Sequence, residues 1–256
     1  MQKYLDFATN LARLAGEHQL EYYQKKIQTK IKGLNDFVTE ADLAIEEMLK
    51  NKIREQFPQH KIYSEEKTKD EFEESDWVWI IDPIDGTGNF ASGIPFFCVS
   101  IALWHRGHVQ LGVVHAPVFQ ETFHAVRGQG AFLNQHPLQA RPSPQGRLIM
   151  LGELGVRKSA ETKLSLQTIQ QLTPKIGTMR MLGAMALDLC YSAKLAGGNC
   201  FCNAFYPWDI AAGALIAQEA GNLVTDFKSQ PWTIYSTTCL AAHPQAHGAF
   251  IQALKD

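Results

Sequence analysis

Apolar side chains recur at Leu5, Ala8, Leu11, Ala12, Ala15 and Tyr22, mostly in steps of three and four. That spacing puts them on one face of a helix over residues 4 to about 26. After a polar break around Gly33–Asn35, Ala41, Ile45, Leu49, Ile53 and Phe57 follow four apart and predict a second helix, which Pro58 ends. A short strand is expected over Lys61–Ser64, ahead of the charged run EEKTKDEFEESD, which reads as a solvated, mobile loop. From Trp77 the pattern changes to strands. WVWIID has the composition of a buried strand, and CVSIALWH and HVQLGVVHA flank Arg106–Gly107 as the arms of a hairpin. ETFHAV, and AFLN after the Gly128/Gly130 turn, extend a largely antiparallel sheet.

The second half alternates. RLIMLGEL reads as a strand, TKLSLQTIQQL and ALDLCYSAKLA as helices, and CFCNAF as a strand. DIAAGALIAQEAG is a helix that Gly221 is placed to end, before short strands at NLVTDF and TCLAAH and a closing helix near 245–254. Strands alternating with helices predict a layered α/β half. The polar, Pro-rich stretch QARPSPQGR near 139–147 divides a single domain over 1–256 into sub-halves. These are about 1–140, helices plus antiparallel sheet, and about 147–256, alternating α/β.

Composition narrows the function classes. With 24 Lys+Arg against 26 Asp+Glu the formal charge is −2. A pI of about 6.5 then offers no electrostatic footprint for nucleic acid or an anionic membrane. Five scattered cysteines (Cys98, Cys190, Cys200, Cys202, Cys239) do not form a disulfide framework. The amphipathic N-terminus does not read as a secretory signal. No apolar run approaches the roughly 18 residues of a membrane span. The expectation is a reduced, cytoplasmic globular protein.

The chemistry concentrates in Asp82-Pro83-Ile84-Asp85-Gly86-Thr87-Gly88-Asn89-Phe90, directly after WVWII. Asp-Pro and Asp-Gly are common turn dipeptides, so the segment has a purely conformational reading. The placement supports another. Two carboxylates three apart at the end of a buried strand project into one small volume, and they stay ionised together only around a cation. Hard oxygen donors suit Mg²⁺, and the Gly86-Thr87-Gly88 backbone N–H groups offer a cradle for an anion. Asp209, after Trp208, reads either as a helix N-cap or as a further carboxylate for the same centre. Glu65 and Glu66 read as a solvated acidic face or as donors. In Asp36-Phe37-Val38-Thr39-Glu40-Ala41-Asp42 the alternatives are helix-entry chemistry, with Thr39 or Asp36 capping, and a site role.

Read in order, DFVTEAD (36–42), SEE (64–66), DPIDGTGNF (82–90), GIPFFCVSIAL (93–103), GQGAFLN (128–134) and WDIAAGALIAQEAG (208–221) resemble the inositol monophosphatase family of Mg²⁺-dependent, lithium-sensitive phosphatases. The resemblance implies a layered α/β/α/β/α sandwich of the sugar-phosphatase type, usually a homodimer. It implies Glu65, Asp82, the Ile84 carbonyl, Asp85 and Asp209 as Mg²⁺ ligands, Glu65 holding the first Glu position of the family's pair. It implies that Thr87 and Asp42 polarise the attacking water, and that Gly86 and Thr87 N–H groups hold the phosphate. With Asp85, Gly86, Thr87 and Asp209, the positions of Met185 and Cys202 would line the substrate. Here the sequence departs from the family. Cys202 stands where animal members carry a Glu that contacts inositol, Gly198-Asn199-Cys200 replaces an Asp-Ala-Tyr-like stretch, Val156 stands for a Ser, and Gly183-Ala184-Met185 replaces a Gly-Ser/Thr-Ala pattern.

The expected activity is therefore hydrolysis of a small phosphomonoester, by family default inositol-1-phosphate. Fructose 1,6-bisphosphate, histidinol phosphate and a 3′-phosphonucleotide are the alternatives, and a non-catalytic regulatory module is the rival from another class. Other signals are structural in this reading. Cys200-Phe201-Cys202 is a buried strand, His243 and His247 are surface residues, Gly128-x-Gly130 is a hairpin turn, and Phe96, Phe97, Trp104 and Phe119 are core or dimer packing.

Overall fold

A long strand buried on both faces loses its polar alternation, and the stretch around WVWIID shows this. Val78 and Ile80 pack in one apolar cluster while Trp79 and Ile81 pack in another, on the opposite face of the same sheet. The computed structural model describes residues 1–25, 29–33, 36–65, 75–154, 159–203 and 205–255. Its first half runs α1 (Gln2–Tyr23), β1 (Thr29–Gly33), β2 (Asp36–Thr39), α2 (Glu40–Gln56), β3 (Lys61–Ser64), β4 (Val78–Asp85), α3 (Thr87–Ser92), β5 (Cys98–His105), β6 (His108–Ala116), β7 (Glu121–Val126), β8 (Ala131–Leu133) and β9 (His136–Leu138). The second half continues with β10 (Ile149–Gly152), α4 (Ser159–Leu172), β11 (Thr178–Arg180), α5 (Met185–Lys194), β12 (Gly198–Asn203), α6 (Pro207–Glu219), β13 (Leu223–Thr225), β14 (Thr238–Ala242) and α7 (Pro244–Ala253).

β3 to β9 form a seven-stranded sheet in sequence order. It is antiparallel except for the parallel β3–β4 pair. The five-stranded sheet has the order β11-β10-β12-β14-β13, with β10 parallel to β11 and β12 and the other pairs antiparallel. β1 and β2 pair separately. The expected α/β/α/β/α layering is present. Helices α1 and α2 cover one face of the large sheet through Ala8, Leu11, Ala15, Ile45, Leu49 and Ile53. Helices α5 and α6 fill the space between the sheets, and α4 and α7 cover the outer face of the small sheet.

Helix α6 is apolar around its circumference, because both of its sides meet a sheet. Ile210, Ala211, Ala212, Ala214, Leu215, Ile216 and Ala217 are all buried. Its small residues permit close approach. A Cβ on Gly112 of β6 would lie 2.7 Å from the Ala212 carbonyl oxygen and 2.8 Å from its Cα.

Most expected elements are found, with differences that have local causes. β9, β11 and the β1–β2 hairpin are short pieces without an apolar period of their own. α6 starts at Pro207, so Asp209 lies in its first turn and Tyr206 is the N-cap. His247, expected at the surface, is 4% exposed and meets the Thr225 hydroxyl at 2.9 Å, because α7 turns that side to the sheet. His243 is the N-cap of α7. Phe97 and Trp104 are core, whereas Phe119 is exposed. All five cysteines are free and buried. Among the described residues no helix is long and apolar enough to cross a membrane. Most of the charged run after Glu65 lies outside them.

Gly112→Ala should lower stability in urea unfolding by about 1–3 kcal/mol, because the obstructing atoms are backbone. Gly248→Ala, in the interior of α7 with nothing within 4 Å of the new methyl, should raise it by up to about 1 kcal/mol. Similar small effects at both positions would contradict the close packing of α6 on β6.

Candidate active site

The site begins where β4 leaves its ladder. Its parallel pairing with β3 stops at Ser64↔Ile81. Its pairing with β5 holds at Asp82↔Ser100, breaks, and resumes at Asp85↔Cys98. Pro83 has no N–H to give a ladder and suits an irregularity. The motif thus belongs to the strand rather than to a turn after it, and the turn comes at Gly86. There φ is +91°, and a Cβ would stand 3.0 Å from the Gly183 carbonyl oxygen and 3.1 Å from the Phe96 carbonyl oxygen. The short helix α3 follows. Asn89 Nδ2 ties it to the carbonyls of Phe96 at 2.7 Å and Leu182 at 2.6 Å.

Three of the acids are each held by a helix start. Thr39 is the N-cap of α2 and Asp42 completes its capping box. Asp42 Oδ2 accepts from Thr39 N at 2.7 Å and from Thr39 Oγ1 at 2.5 Å. Its other oxygen, Oδ1, lies 3.1 Å from Thr87 Oγ1. The helix-entry reading of Asp42 therefore holds through Oδ2, and Oδ1 is the oxygen left to meet Thr87. Asp85 serves as a remote cap for α5, accepting from Met185 N at 3.0 Å and Ala186 N at 2.8 Å. The N-cap residue itself, Ala184, has no side chain able to do this. Asp209 Oδ2 accepts from Tyr206 N at 2.7 Å, and Ser100 Oγ donates to the Trp208 carbonyl at 3.2 Å. Asp209 is thus a first-turn residue, not the N-cap.

Asp82 Oδ1 accepts the Ile84 N–H at 2.9 Å. The Ile84 carbonyl receives the Thr87 hydroxyl at 2.9 Å. That hydroxyl has one proton, so it donates to Ile84 or to Asp42 but not to both at once. Glu65 follows β3 and is partly exposed. Met185 meets Asp85 through its backbone, while the Cys202 thiol is 1% exposed in an apolar cluster with Leu151, Met185 and Cys239. Cys202 is thus placed among apolar side chains. Glu66 and Val156 lie outside the described residues. Two neighbours escaped the sequence reading. The Cys98 thiol donates to Asp85 Oδ2 at 3.3 Å, signalled only by its place opposite Asp85 in the ladder. Gln19 donates to the Pro83 carbonyl, signalled only by a polar residue on the buried stripe of α1.

Crowding dominates the electrostatics. Burial, then Glu65, Asp85, Asp209 and Asp42, push Asp82 well above the usual carboxylate range. Burial, then Asp209, push Asp85 up to about 7, against the opposing hydrogen bonds from Cys98, Ala186 and Met185. Every charged neighbour responsible is a carboxylate. Hard, mutually repelling oxygen donors of this kind fit a hard divalent cation such as Mg²⁺, which keeps waters and takes few protein ligands. Among the described residues no three acid, imidazole or thiol groups close into a metal cage.

The sign of the pH dependence follows. Asp85 is uncharged in fold and unfolded chain alike below about pH 4, and the cost of its ionisation in the fold accumulates as pH rises from 3.8 to about 7. In metal-free protein, the melting temperature of Asp85→Asn relative to the unsubstituted protein should therefore rise by several degrees between pH 5 and pH 8. Taking this difference cancels the buried histidines, which act in the opposite direction. A difference that stays constant with pH would contradict the crowding.

Comparison with known proteins gives the family and the fold. Residues 1–256 match the inositol monophosphatase family. The chain is 35% identical over 260 residues to Nus factor SuhB of Vibrio cholerae, covering 100% of this chain and 97% of that protein. It is 36% identical over 269 residues to inositol monophosphatase 3 of Solanum lycopersicum, covering 100% and 98%. The solved extragenic suppressor protein suhB of Bartonella henselae superposes with a TM-score of 0.88 at 30% identity, over 99% of each chain. The Thermotoga maritima IMPase does so with 0.86 at 33% identity, over 100% of this chain and 97% of that one. The chain belongs to the inositol monophosphatase family.

Proposed function

We propose that the protein is a Mg²⁺-dependent phosphatase of small phosphomonoesters, with inositol-1-phosphate the default substrate. The observation that carries this reading is the crowding of Asp82 by Glu65, Asp85, Asp209 and Asp42, with the Thr87 hydroxyl 3.1 Å from Asp42. In this reading Glu65, Asp82, the Ile84 carbonyl, Asp85 and Asp209 hold Mg²⁺. When bound, the ion neutralises the phosphate dianion and makes water a better nucleophile.

The chain's own groups do the rest. With the Ile84 carbonyl engaged, the Thr87 proton goes to Asp42 Oδ1, which leaves the hydroxyl lone pairs free to accept a hydrogen bond from water. The water's own lone pair is thereby aimed at phosphorus. Thr39 keeps Asp42 from turning away, since it occupies Oδ2. Gly86 and Thr87 N–H groups hold phosphate oxygens, and Gly86 keeps the backbone close because its φ of +91° excludes a side chain. The products are an alcohol and inorganic phosphate.

One observation favours a different leaving group. Cys202, at the position of a polyol-reading Glu in animal relatives, is buried in an apolar cluster with Met185. Fructose 1,6-bisphosphate, histidinol phosphate or a 3′-phosphonucleotide would then be cleaved by the same machinery. A non-catalytic binding role is disfavoured, because none of the acids nor the Thr87–Asp42 pair has been lost. The reading includes a homodimer and inhibition by millimolar lithium.

Phosphate release from a panel of these esters, with Mg²⁺ or EDTA, tests the proposal. Turnover should require Mg²⁺ and vanish in Asp85→Asn, and Thr87→Ala should reduce kcat by roughly 10²–10⁴-fold. Release in EDTA at the Mg²⁺ rate, or an unimpaired Asp85→Asn, would refute the metal role. Cleavage of another ester in preference to inositol-1-phosphate would replace the default substrate alone.

A further inference from the structure

Helix α1 buries one polar side chain among its apolar ones. Ala8, Leu11, Ala12, Ala15 and Gly16 are buried, and so is Gln19, with 0% of its surface exposed. Gln19 Nε2 donates to the Pro83 carbonyl at 2.7 Å, and Oε1 has no partner among the described residues. Burying an amide with an unmet acceptor is unfavourable. An apolar side chain of similar length would avoid that cost, so packing alone gives no reason for glutamine. One turn later Tyr23 Oη donates to the Gly93 carbonyl at 2.7 Å. The helix thus grips both ends of the segment that carries the site.

The bond to Pro83 matters because of where it falls. The ladder is broken between Asp82 and Asp85, so strand pairing does not set the two peptide planes there. Successive carbonyls of an extended chain point in roughly opposite directions. The Pro83 carbonyl is held toward α1, and the next carbonyl, that of Ile84, meets the Thr87 hydroxyl. We propose that Gln19 is a positioning residue: its hydrogen bond fixes the peptide planes between Asp82 and Asp85 and so aims the Ile84 carbonyl into the metal site. This rests on the proposed reading of that carbonyl as a Mg²⁺ ligand.

Gln19→Met keeps an unbranched side chain and removes the donor, and Gln19→Asn keeps an amide too short to reach, as a second variant should the first not fold. Leu11→Ala loosens the same helix without touching Pro83. Mg²⁺ binding is measured by calorimetry without substrate, alongside melting temperature and the kinetics at saturating Mg²⁺. Both Gln19 variants should bind Mg²⁺ about tenfold more weakly, with KM for the ester within about twofold of the unsubstituted protein. Leu11→Ala should lower the melting temperature and leave Mg²⁺ affinity unchanged. Gln19 variants that bind Mg²⁺ normally, or an equal loss in Leu11→Ala, would overturn the positioning role while leaving the phosphatase reading intact. An unsubstituted protein that takes up no Mg²⁺ would overturn both.

Discussion

Like-charge repulsion at the end of β4 is the constraint to which the rest of the molecule answers. Asp82 and Asp85 are buried, 2% and 6% exposed, and their charged neighbours are carboxylates. The protein moderates this with backbone. Asp42, Asp85 and Asp209 each accept N–H groups at the start of a helix, α2, α5 and α6 respectively. Helix N-termini carry partial positive charge and favour anions. The same arrangement places the starts of three helices beside three of the acids. It does not cancel the repulsion, since Asp82 and Asp85 remain shifted upward. The remainder is available to a cation.

The layers serve this convergence. Helix α6 lies between the sheets and must approach β6 closely, which Gly112 and Ala212 allow. Its first turn is tied to β5 through Ser100. Helix α5 is docked by Asp85 itself. Helix α2 brings Asp42 from the outer layer to Thr87. The acids thus come from distant parts of the chain, and Asp42, Asp85 and Asp209 each also bond the start of a helix.

Much of this was legible in the chain, for a physical reason. β3, β5, β6 and β7 have the limits that their apolar runs suggest, because strands buried in a sheet carry the pattern in their own residues. The acids around DPIDGT were legible because hard charged groups beside a buried strand have no packing role. The N-cap alternative for Asp209 rested on the preference of Asp for that position, but α6 begins two residues earlier, at Pro207, with Tyr206 as its N-cap. The six-residue α3 and the three-residue β9 and β11 owe their form to neighbours rather than to a period of their own. Gln19 had no local signature, since its partner lies 64 residues away. Cys200-Phe201-Cys202, by contrast, was legible as a buried strand, and all three are buried in β12.

Crystals soaked in Mn²⁺, a ligand-compatible stand-in for Mg²⁺, would probe the centre most directly through their anomalous difference density. The account predicts a peak within coordination distance of Asp82, Asp85 and the Ile84 carbonyl, with the Thr87–Asp42 hydrogen bond retained. Featureless density among those groups in fully soaked crystals that still hydrolyse a phosphomonoester would contradict it.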